Sequence, residues 1–486
     1  MMELKEILYK VPILAIAGSS SRSVKNIHTD SRDVEKESLF VALKGNKYDG
    51  YNFIDSAIKS GAFVIICNKI PKRLNKSITY VKVSDPGKVL ATISSNFYRN
   101  PSKKIKLIGV TGTNGKTTIT TLLYDIFSSQ NQNAGLISTI NIKYGKNNIL
   151  SRNTTPDILK INYLLSEMVK EKIKYCFMEV SSHGISQGRI DGLYFFGGVF
   201  TNLTYDHLDY HKSFNNYRNV KKQFFDLLPK DAFSLVNKDD KNAIFMQQNT
   251  VSKKVSYAIN TYADFNLKVL ESTFSGMLLN INNNEIWTHL LGDFNASNLL
   301  AVYAVSVITG NEKIEILKKI SLLKNVPGRF QTFKSDSDCY VIIDYAHTPK
   351  ALESIINSIN QIRTKNEKLI TVIGCGGERD IEKRFEMGRI ASEKSDTVIF
   401  TSDNPRNENP MSIIDQMNSG VGFKDKSKII CIKEREMAIK KSKEISKKSD
   451  IILIAGKGHE SYQEISDVKI PFDDFLIAKK YFNKKI

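Results

Sequence analysis

The sequence is poor in cysteine and tryptophan and has no long apolar run. Its 486 residues include one tryptophan and five cysteines. The cysteines are scattered and form no C-x-x-C pair, so neither a disulfide framework nor a structural zinc site is expected. They are Cys67, Cys176, Cys339, Cys375 and Cys431. The longest apolar runs, near Ile342 and Ile451, fall far short of the ~20 residues that a membrane-spanning helix needs.

A recognisable secretory signal is also missing. Glu3 and Glu6 precede the short apolar stretch near the N-terminus, and no clear small-residue cleavage site follows it. This start and the unpaired cysteines are typical of a protein of the reducing cytoplasm. We therefore expect a cytoplasmic protein without a membrane span.

Acidic residues are outnumbered by basic ones, 51 to 70, which gives a formal net charge of +19. Such an excess favours anionic partners, nucleic acid among them. The lysines are spread along the whole chain, however, and no basic helix with interleaved aromatics is present. A solvated basic surface is the favoured interpretation, and no nucleic-acid partner is expected. A basic ATPase that binds nucleic acid stays open as an alternative from another class.

The chain has the composition of a globular protein, with 41% apolar and 25% charged residues. Apolar runs such as LIGVTG, YCFMEV, YVIIDYA and IILIAG alternate with amphipathic stretches, which predicts α/β domains with parallel sheets. Composition changes near Pro101 and Pro327 indicate boundaries. We expect three domains, at residues 1–98, 99–328 and 329–486.

A glycine-rich turn follows the strand LIGVT and precedes a helix, as in nucleotide-binding loops. Glycines let backbone N–H groups approach phosphate oxygens, a lysine neutralises the β/γ oxygens and a threonine reaches Mg²⁺. The spacing is a variant of the common G-x-x-x-x-G-K-T pattern. The predicted ATP-binding residues here are Gly112, Thr113, Asn114, Gly115, Lys116, Thr117 and Thr118.

Two further strand ends carry possible ligands for a metal ion. Glu179 ends YCFME, and His207 follows GGVFTNL. Ligands at the carboxyl ends of parallel strands meet at one edge of the sheet. Mg²⁺ prefers carboxylates together with substrate phosphates, so Glu179 is the first candidate and His207 a less usual one. For His183 and His211, a metal-binding role and a buried, hydrogen-bonded role are equally open.

In chain order, the motifs TGTNGKTT, EVSSHGISQGR, TNLTYDHLDYH, LGDFNASNLLA, VPGRF, DYAHTP, DNPR and AGKGHE resemble those of the Mur ligases over the whole length. The resemblance implies an N-terminal α/β domain that binds a uridine nucleotide. It also implies a central P-loop domain with a parallel sheet that binds ATP, and a C-terminal Rossmann-like α/β domain. A folate-polyglutamate ligase would share the phosphate loop, but gives no reason for the N-terminal DSR and the DNPR segments.

The resemblance implies an ATP-dependent ligase that joins an amino acid to a UDP-muramoyl-peptide through an acyl phosphate. Lys116, Glu179, His207 and Lys221 would be the catalytic residues, with Lys221 carbamylated. CO₂ converts an ammonium that repels Mg²⁺ into a carboxylate-like ligand. The implied Mg²⁺ ligands are Thr117, Glu179, His207 and the modified Lys221. Without the resemblance, an unmodified surface lysine would be preferred. Further implied ATP contacts are Asn298, Arg329, Asp344 and His347.

The remaining implied sites hold the two small-molecule substrates, and the enzyme is expected to be a monomer. The residues implied for the UDP-muramoyl-peptide are Thr29, Ser31, Asn46, Lys47, Tyr48, Asn153, Thr154, Thr155, Ser181, Gln187 and Arg189. Those implied for the amino acid are Arg379, Asp403, Asn404, Pro405, Arg406, Gly456 and Glu460.

DNPR resembles the signature for meso-diaminopimelate. The physical reason is that Arg406 can bind the extra carboxylate of diaminopimelate, whereas it would repel the terminal ammonium of lysine. Glu460 would meet the distal ammonium. A sister ligase that adds L-lysine stays the nearest alternative.

Overall fold

The computed structural model describes residues 1–45, 48–129, 133–364, 366–466 and 468–483. Asn46 and Lys47, two of the implied uridine contacts, lie outside these residues. Across the part of the chain that is described, no helix is both long and apolar enough to cross a bilayer.

The N-terminal part builds a small mixed sheet. Its strand order is β2-β7-β6-β5-β4, and β4 to β7 run parallel. Asp85 caps α3 by accepting from Gly87 N, and Pro86 occupies the first helical turn. The strands are β1 (Met2–Glu3), β2 (Ile13–Ala17), β3 (Ser23–Val24), β4 (Asn26–His28), β5 (Ser38–Val41), β6 (Ala62–Cys67) and β7 (Thr79–Val83). The helices are α1 (Leu4–Ile7), α2 (Ile54–Ser60) and α3 (Pro86–Phe97), with a 3-10 turn at Gly50–Phe53.

The central part is organised around one long sheet with the order β11-β10-β9-β12-β8-β13-β14-β15-β16-β17-β18. Its strands are β8 (Lys106–Thr111), β9 (Ala134–Ile137), β10 (Asn141–Tyr144), β11 (Asn147–Leu150), β12 (Tyr175–Glu179), β13 (Gly197–Phe200), β14 (Phe233–Asn237), β15 (Lys253–Ala258), β16 (Phe265–Thr273), β17 (Gly276–Ile281) and β18 (Asn284–Thr288). Its helices are α4 (Lys116–Ser128), α5 (Ile158–Lys170), α6 (Ser182–Ser186), α7 (Leu208–His211), α8 (Phe214–Asp226), α9 (Ala243–Met246), α10 (Asp293–Ile308) and α11 (Lys313–Leu322), with a 3-10 turn at Pro101–Lys103.

The C-terminal part forms a sheet of order β19-β20-β24-β21-β22-β23. Its strands are β19 (Gln331–Lys334), β20 (Tyr340–Asp344), β21 (Leu369–Ile373), β22 (Thr397–Phe400), β23 (Ile429–Cys431), β24 (Ile451–Ala455), β25 (Tyr462–Ile465) and β26 (Val468–Pro471). Its helices are α12 (Pro349–Ile362), α13 (Glu382–Lys394), α14 (Pro410–Ser419), α15 (Arg435–Ile445) and α16 (Asp474–Phe482), with a 3-10 turn at Phe423–Lys428.

The predicted α/β class is confirmed, and every apolar run named above forms a strand. These runs lie inside the sheets, where both faces are covered and a continuous apolar pattern is expected. The prediction of parallel sheets is wrong at the edges, where β10, β11, β17, β18 and β19 pair antiparallel. Several of these strands are joined by short turns, such as the one from Tyr144 to Asn147, and such turns connect only antiparallel neighbours.

Candidate active site

The glycine-rich turn lies between β8 and α4 and needs its glycines. A Cβ atom on Gly112 would lie 1.9 Å from Thr201 Oγ1. Gly115 has a φ of +87° and precedes α4, and a Cβ there would lie 2.6 Å from Asn298 Oδ1. The turn therefore brings bare backbone to the positive end of a helix, which suits an anionic ligand. The helix predicted after the glycine-rich turn is confirmed and begins at Lys116.

Lys116 is folded back over this turn. Its Nζ donates to Gly112 O at 2.9 Å and to Thr113 O at 2.8 Å. Burial lowers its pKa, while Glu179 and Asp206 act in the opposite direction. The ammonium thus lies among the loop carbonyls, and Thr117 and Thr118 are buried in the first turn of α4.

Residues after β13 hold the turn in place, and the sequence analysis missed them. Thr201 Oγ1 donates to Asn114 O at 2.5 Å, and Asn202 Oδ1 accepts from Asn114 N at 3.0 Å. Thr113 N donates to Asn202 O at 2.8 Å. These two residues directly follow a predicted strand, next to the phosphate loop, and that position was a usable signal.

Lys221 is buried rather than exposed. It lies on α8 with 1% of its surface accessible, and its Nζ donates to Gly112 O at 2.9 Å. Burial and the nearby Lys116 lower its pKa well below the usual value. Its neighbour Lys222 instead makes an ion pair with Asp226 at 2.7 Å. Among the described residues no carboxylate makes an ion pair with Lys221, and its ammonium is held by the carbonyl of Gly112.

Glu179 ends β12 with no exposed surface. Its two carboxylate oxygens accept from Thr139 N at 2.7 Å and Thr139 Oγ1 at 3.0 Å. Thr139 is a third residue that sequence reasoning missed, and it fixes the orientation of the carboxylate.

His207 lies at the start of α7 with a φ of +53°. Its Nε2 is 3.5 Å from Asp206 Oδ2, and burial lowers its pKa to about 4 despite that carboxylate. The His183 ring lies 4.8 Å from the His207 ring, centroid to centroid. His211 is buried and its Nε2 hydrogen-bonds Ser182 Oγ at 2.9 Å, which favours the hydrogen-bonded role for it.

The side chains described above provide only part of a coordination shell for Mg²⁺, and phosphate oxygens and water would have to supply the rest. Across the described residues, no three His, Cys, Asp or Glu side chains are grouped so that they could hold a metal ion together. Mg²⁺ usually binds one or two carboxylates and completes its shell with phosphate oxygens and water. The buried Glu179 carboxylate and the Thr117 hydroxyl are suitable oxygen donors, and a carbamate on Lys221 would add more.

The C-terminal part reaches the phosphate loop through Arg329, whose Nη2 donates to Thr117 Oγ1 at 3.2 Å. Asp344 ends β20 nearby, and its carboxylate accepts from Phe330 N and Ala346 N, each at 2.7 Å. Burial raises the pKa of Asp344 to about 6, although Arg329 and these N–H groups oppose the rise. The site thus combines two parts of the chain.

Two further predicted ATP residues lie at this junction. Asn298 is buried on α10 against Gly115, and its Nδ2 donates to Asn295 Oδ1 at 3.3 Å. His347 Nδ1 hydrogen-bonds Tyr345 O at 2.9 Å, and burial and Lys383 lower the pKa of its ring.

Comparison with known proteins agrees with this arrangement. Family models match residues 23–98 (Mur ligase family, catalytic domain), 110–306 (Mur ligase middle domain) and 328–458 (Mur ligase, glutamate ligase domain). The UDP-N-acetylmuramoyl-L-alanyl-D-glutamate--2,6-diaminopimelate ligase of Cytophaga hutchinsonii is 46% identical over 480 residues, which is 99% of each chain. The protein of that name from Bacteroides fragilis is 46% identical over 482 residues, again 99% of each chain. The chain belongs to the Mur ligase family.

A solved structure of a Mur ligase supports the fold over the full length. It is titled as a UDP-N-acetylmuramoyl-L-alanyl-D-glutamate--2,6-diaminopimelate ligase and is 30% identical, with a TM-score of 0.71. The match covers 99% of this chain and 98% of that one. The predicted family and fold are therefore confirmed, and this chain is an enzyme of the Mur ligase class.

The residues that the Mur ligase resemblance assigns to the muramoyl-peptide meet beside Glu179. Thr155 Oγ1 donates to Glu179 O at 2.8 Å, and Ser181 N donates to Thr155 Oγ1 at 2.9 Å. Arg189 donates to Thr155 O at 2.7 Å and to Gln187 Oε1 at 2.6 Å. The guanidinium of Arg189 thus holds Thr155, whose hydroxyl in turn bonds the main chain of Glu179.

Other residues assigned to that substrate are more open. Thr154 Oγ1 accepts from Thr139 Oγ1 at 3.1 Å, and Asn153 is exposed in the same loop. Ser31 is buried and Thr29 half-buried after β4, whereas Tyr48 is exposed and lies edge-on to the Phe53 ring.

The segments assigned to the amino acid converge at the carboxyl ends of β22 and β24. Lys457, which the sequence analysis did not select, is fully buried and donates to Asn404 Oδ1 at 2.9 Å and Glu460 Oε2 at 3.0 Å. Burial and Asp403 raise the pKa of Glu460. Gly456 has a φ of +112°, and a Cβ there would lie 2.7 Å from Asp403 Oδ2.

Two arginines flank this pocket. Arg406 has a φ of +50°, donates to Gly377 O at 2.6 Å and pairs with Glu464 at 3.1 Å. Pro405, just before it, packs against Gly377. A Cβ atom at position 377 would lie only 1.9 Å from Pro405 O, so the position requires glycine. Arg379 is exposed in the loop after β21.

Proposed function

We propose that this Mur ligase adds meso-diaminopimelate to UDP-N-acetylmuramoyl-L-alanyl-D-glutamate with the energy of ATP. The main support is that the phosphate loop, the residues assigned to the muramoyl-peptide and those assigned to the amino acid all lie at strand ends. Arg329 links the C-terminal part to the phosphate loop through Thr117. The names of the full-length relatives point to the same substrates. The proposed domain division is 1–98, 99–328 and 329–486.

In the first step, a carboxylate oxygen of the acceptor attacks the γ-phosphorus of ATP. A new P–O bond forms, the bond to the β–γ bridging oxygen breaks and ADP leaves. The turn around Gly112 and the N-terminus of α4 bind the phosphates, and Lys116 moves from the loop carbonyls to the transferring group. Arg189 orients the acceptor.

In the second step, the amine of diaminopimelate attacks the carbonyl carbon of the acyl phosphate. A C–N bond forms, the nitrogen loses a proton, and the C–O bond to phosphate breaks. Cations and oriented N–H groups stabilise the anionic tetrahedral intermediate. Arg406 and Arg379 bind carboxylates of the incoming amino acid, while Glu460 faces its distal ammonium.

Thr117, Glu179, His207 and a carbamylated Lys221 would hold Mg²⁺, which neutralises charge on the phosphate oxygens. The proposal for Lys221 rests on its burial and on its lack of a carboxylate partner among the described residues. A neutral amine can add CO₂ and release a proton, which leaves a carbamate anion.

The decisive measurement is phosphate release from ATP with UDP-muramoyl-dipeptide, Mg²⁺ and bicarbonate. It compares diaminopimelate, L-lysine and no amino acid, in wild type, Arg406→Ala and Arg406→Lys. Diaminopimelate-dependent release that falls in Arg406→Ala, and partly returns in Arg406→Lys, is the expected result. Release with lysine alone would identify a lysine-adding ligase, and none with any amino acid would contradict the proposal.

We further propose that the enzyme is a cytoplasmic monomer that does not act on nucleic acid. The support is the spread of basic residues and the small-molecule substrates of its relatives. Gel filtration and salt-dependent retention on DNA test these points.

A further inference from the structure

Arg384 lies on α13 and has no exposed surface. It makes a two-pronged ion pair with Glu408, from Nη1 to Oε2 at 2.8 Å and from Nη2 to Oε1 at 2.9 Å. Glu408 lies two residues beyond Arg406, just before α14. The buried cation is thus anchored to the segment that carries DNPR.

The same guanidinium also holds the loop that carries Arg379. Its Nη2 donates to Gly376 O at 3.0 Å, and Glu408 Oε1 accepts from Glu378 N. The ion pair between the buried Arg384 and the half-buried Glu408 therefore joins the loop after β21 to the loop after β22. A third contact, from Nη1 to Gln416 Oε1 at 2.7 Å, ties both to α14.

The two loops are in direct contact, so they can move only together or by breaking contacts. Gly377 N donates to Asn404 O at 2.9 Å, and Arg406 Nη1 donates back to Gly377 O at 2.6 Å. A displacement of one loop relative to the other would therefore break these contacts and change the separation between Arg379 and Arg406.

A buried arginine is costly unless it is paired, and an apolar residue would anchor a helix at least as well. An amino acid with two carboxylates needs two cations at a set distance. Resting on the proposed function, we propose that Arg384, acting through Glu408, is a positioning residue that fixes the spacing of Arg379 and Arg406. This spacing selects the length of the dicarboxylic amino acid that is accepted.

The test uses Arg384→Lys and Glu408→Gln in the full-length enzyme. Each keeps a polar group but loses the two-pronged geometry. The KM for diaminopimelate should rise about tenfold or more, equivalent to about 1.4 kcal/mol. The KM values for ATP and UDP-muramoyl-dipeptide should stay at the wild-type level. Discrimination against homologues of diaminopimelate with one methylene more or fewer should also fall.

The matched control is Arg389→Lys on the same helix. Arg389 pairs on the surface with Glu386 and Glu393, the latter at 2.6 Å, and both partners lie on α13 itself. This variant should leave all three KM values unchanged. Equal rises for all three substrates in Arg384→Lys would indicate a merely structural role and overturn the proposal. An unchanged KM for diaminopimelate in both test variants would do the same.

Hydrogen–deuterium exchange of the loops at residues 374–381 and 401–409 gives a readout independent of turnover. Exchange in both loops should increase in Arg384→Lys and not in Arg389→Lys. Unchanged exchange in Arg384→Lys would contradict the proposal that Arg384 couples the two loops. If the wild-type enzyme does not use diaminopimelate, the proposed function fails by itself. Exchange then still decides whether Arg384 couples the loops.

Discussion

Lys116 and Lys221 donate to the same oxygen, Gly112 O, each from 2.9 Å. Two ammonium groups at one carbonyl repel each other, and Lys116 indeed contributes to the lowered pKa of Lys221. Burial lowers the pKa of both ammonium groups, and that of Lys221 falls well below its usual value. Conversion to a carbamate would turn this repulsion into attraction.

Replacement of Lys221 by Met removes the amine that would carry the carbamate. Ligase turnover should fall by roughly 10²–10³-fold, the usual effect of losing a key electrostatic group. Carbon NMR with labelled bicarbonate should show a carbamate signal in wild type that is absent from the variant. Lys222→Met, which breaks the pair with Asp226 and leaves Lys221 in place, is the control and should keep both signal and turnover.

Asn202→Ala tests the support of the phosphate loop from β13. The variant leaves Asn114 N without its side-chain acceptor, and a lost hydrogen bond of this kind costs about 1–2 kcal/mol. The KM for ATP should rise by about tenfold, with the KM for the amino acid unchanged. An unaltered KM for ATP would show that the loop is held without Asn202.

Asp344 should make stability depend on pH. Its folded pKa of about 6 lies above the unfolded value of about 3.9, so the folded state binds the proton more tightly. The resulting stabilisation is fully present below the unfolded pKa and is lost as pH rises through about 6. It amounts to about 3 kcal/mol. As the pH rises from about 4 to about 6, the thermal midpoint of wild type should therefore fall relative to that of Asp344→Asn. A constant difference would contradict this prediction.

The ion pair of Arg435 and Asp474 is fully buried, at 2.7 Å, and joins α15 to α16. Arg435→Met should destabilise the protein by about 3–5 kcal/mol, because Asp474 would remain as an unpaired buried charge. Adding Asp474→Leu should recover most of the loss in thermal unfolding. The control is Lys480→Met, which breaks an exposed pair between the same helices and should cost less than about 1 kcal/mol.

Gly456→Ala should weaken binding of the amino acid. The new Cβ would lie 2.7 Å from Asp403 Oδ2 at a φ of +112°, so Asp403 must move. The KM for diaminopimelate should rise by about tenfold or more. Gly310 has a similar φ of +95° with nothing within 4 Å, so Gly310→Ala isolates the backbone strain of about 1 kcal/mol. Equal KM values in the two variants would contradict the role of Asp403.

Residues that follow apolar strands were predictable in position, because parallel strands deliver their carboxyl ends to one edge. Glu179, Asp344 and Gly456 all lie there. The family motifs supplied their roles. Burial could not decide between Lys221 and Lys222, since both lie among the buried residues of α8, and the choice came from the family motif.

Partners distant in the chain were not predictable from spacing. The contact of Thr139 with Glu179 and that of Arg384 with Glu408 depend on how loops pack after the sheets form. A lone threonine or arginine in a sequence gives no sign of which carboxylate it will meet. The antiparallel strands at the sheet edges were not predicted for a similar reason, since the apolar pattern of a strand does not fix the direction of its partner.

The placement of β13 beside β8 bears on how the enzyme is made on the ribosome. Thr201 and Asn114, which hydrogen-bond across these strands, are 87 residues apart in the chain. The N-terminal sheet, complete by Val83, can fold as soon as it emerges, because domains form in order of synthesis. The nucleotide loop can adopt its bonded conformation only after residues up to Thr201 have been synthesised. ATP can therefore stabilise only those chains whose translation has passed β13.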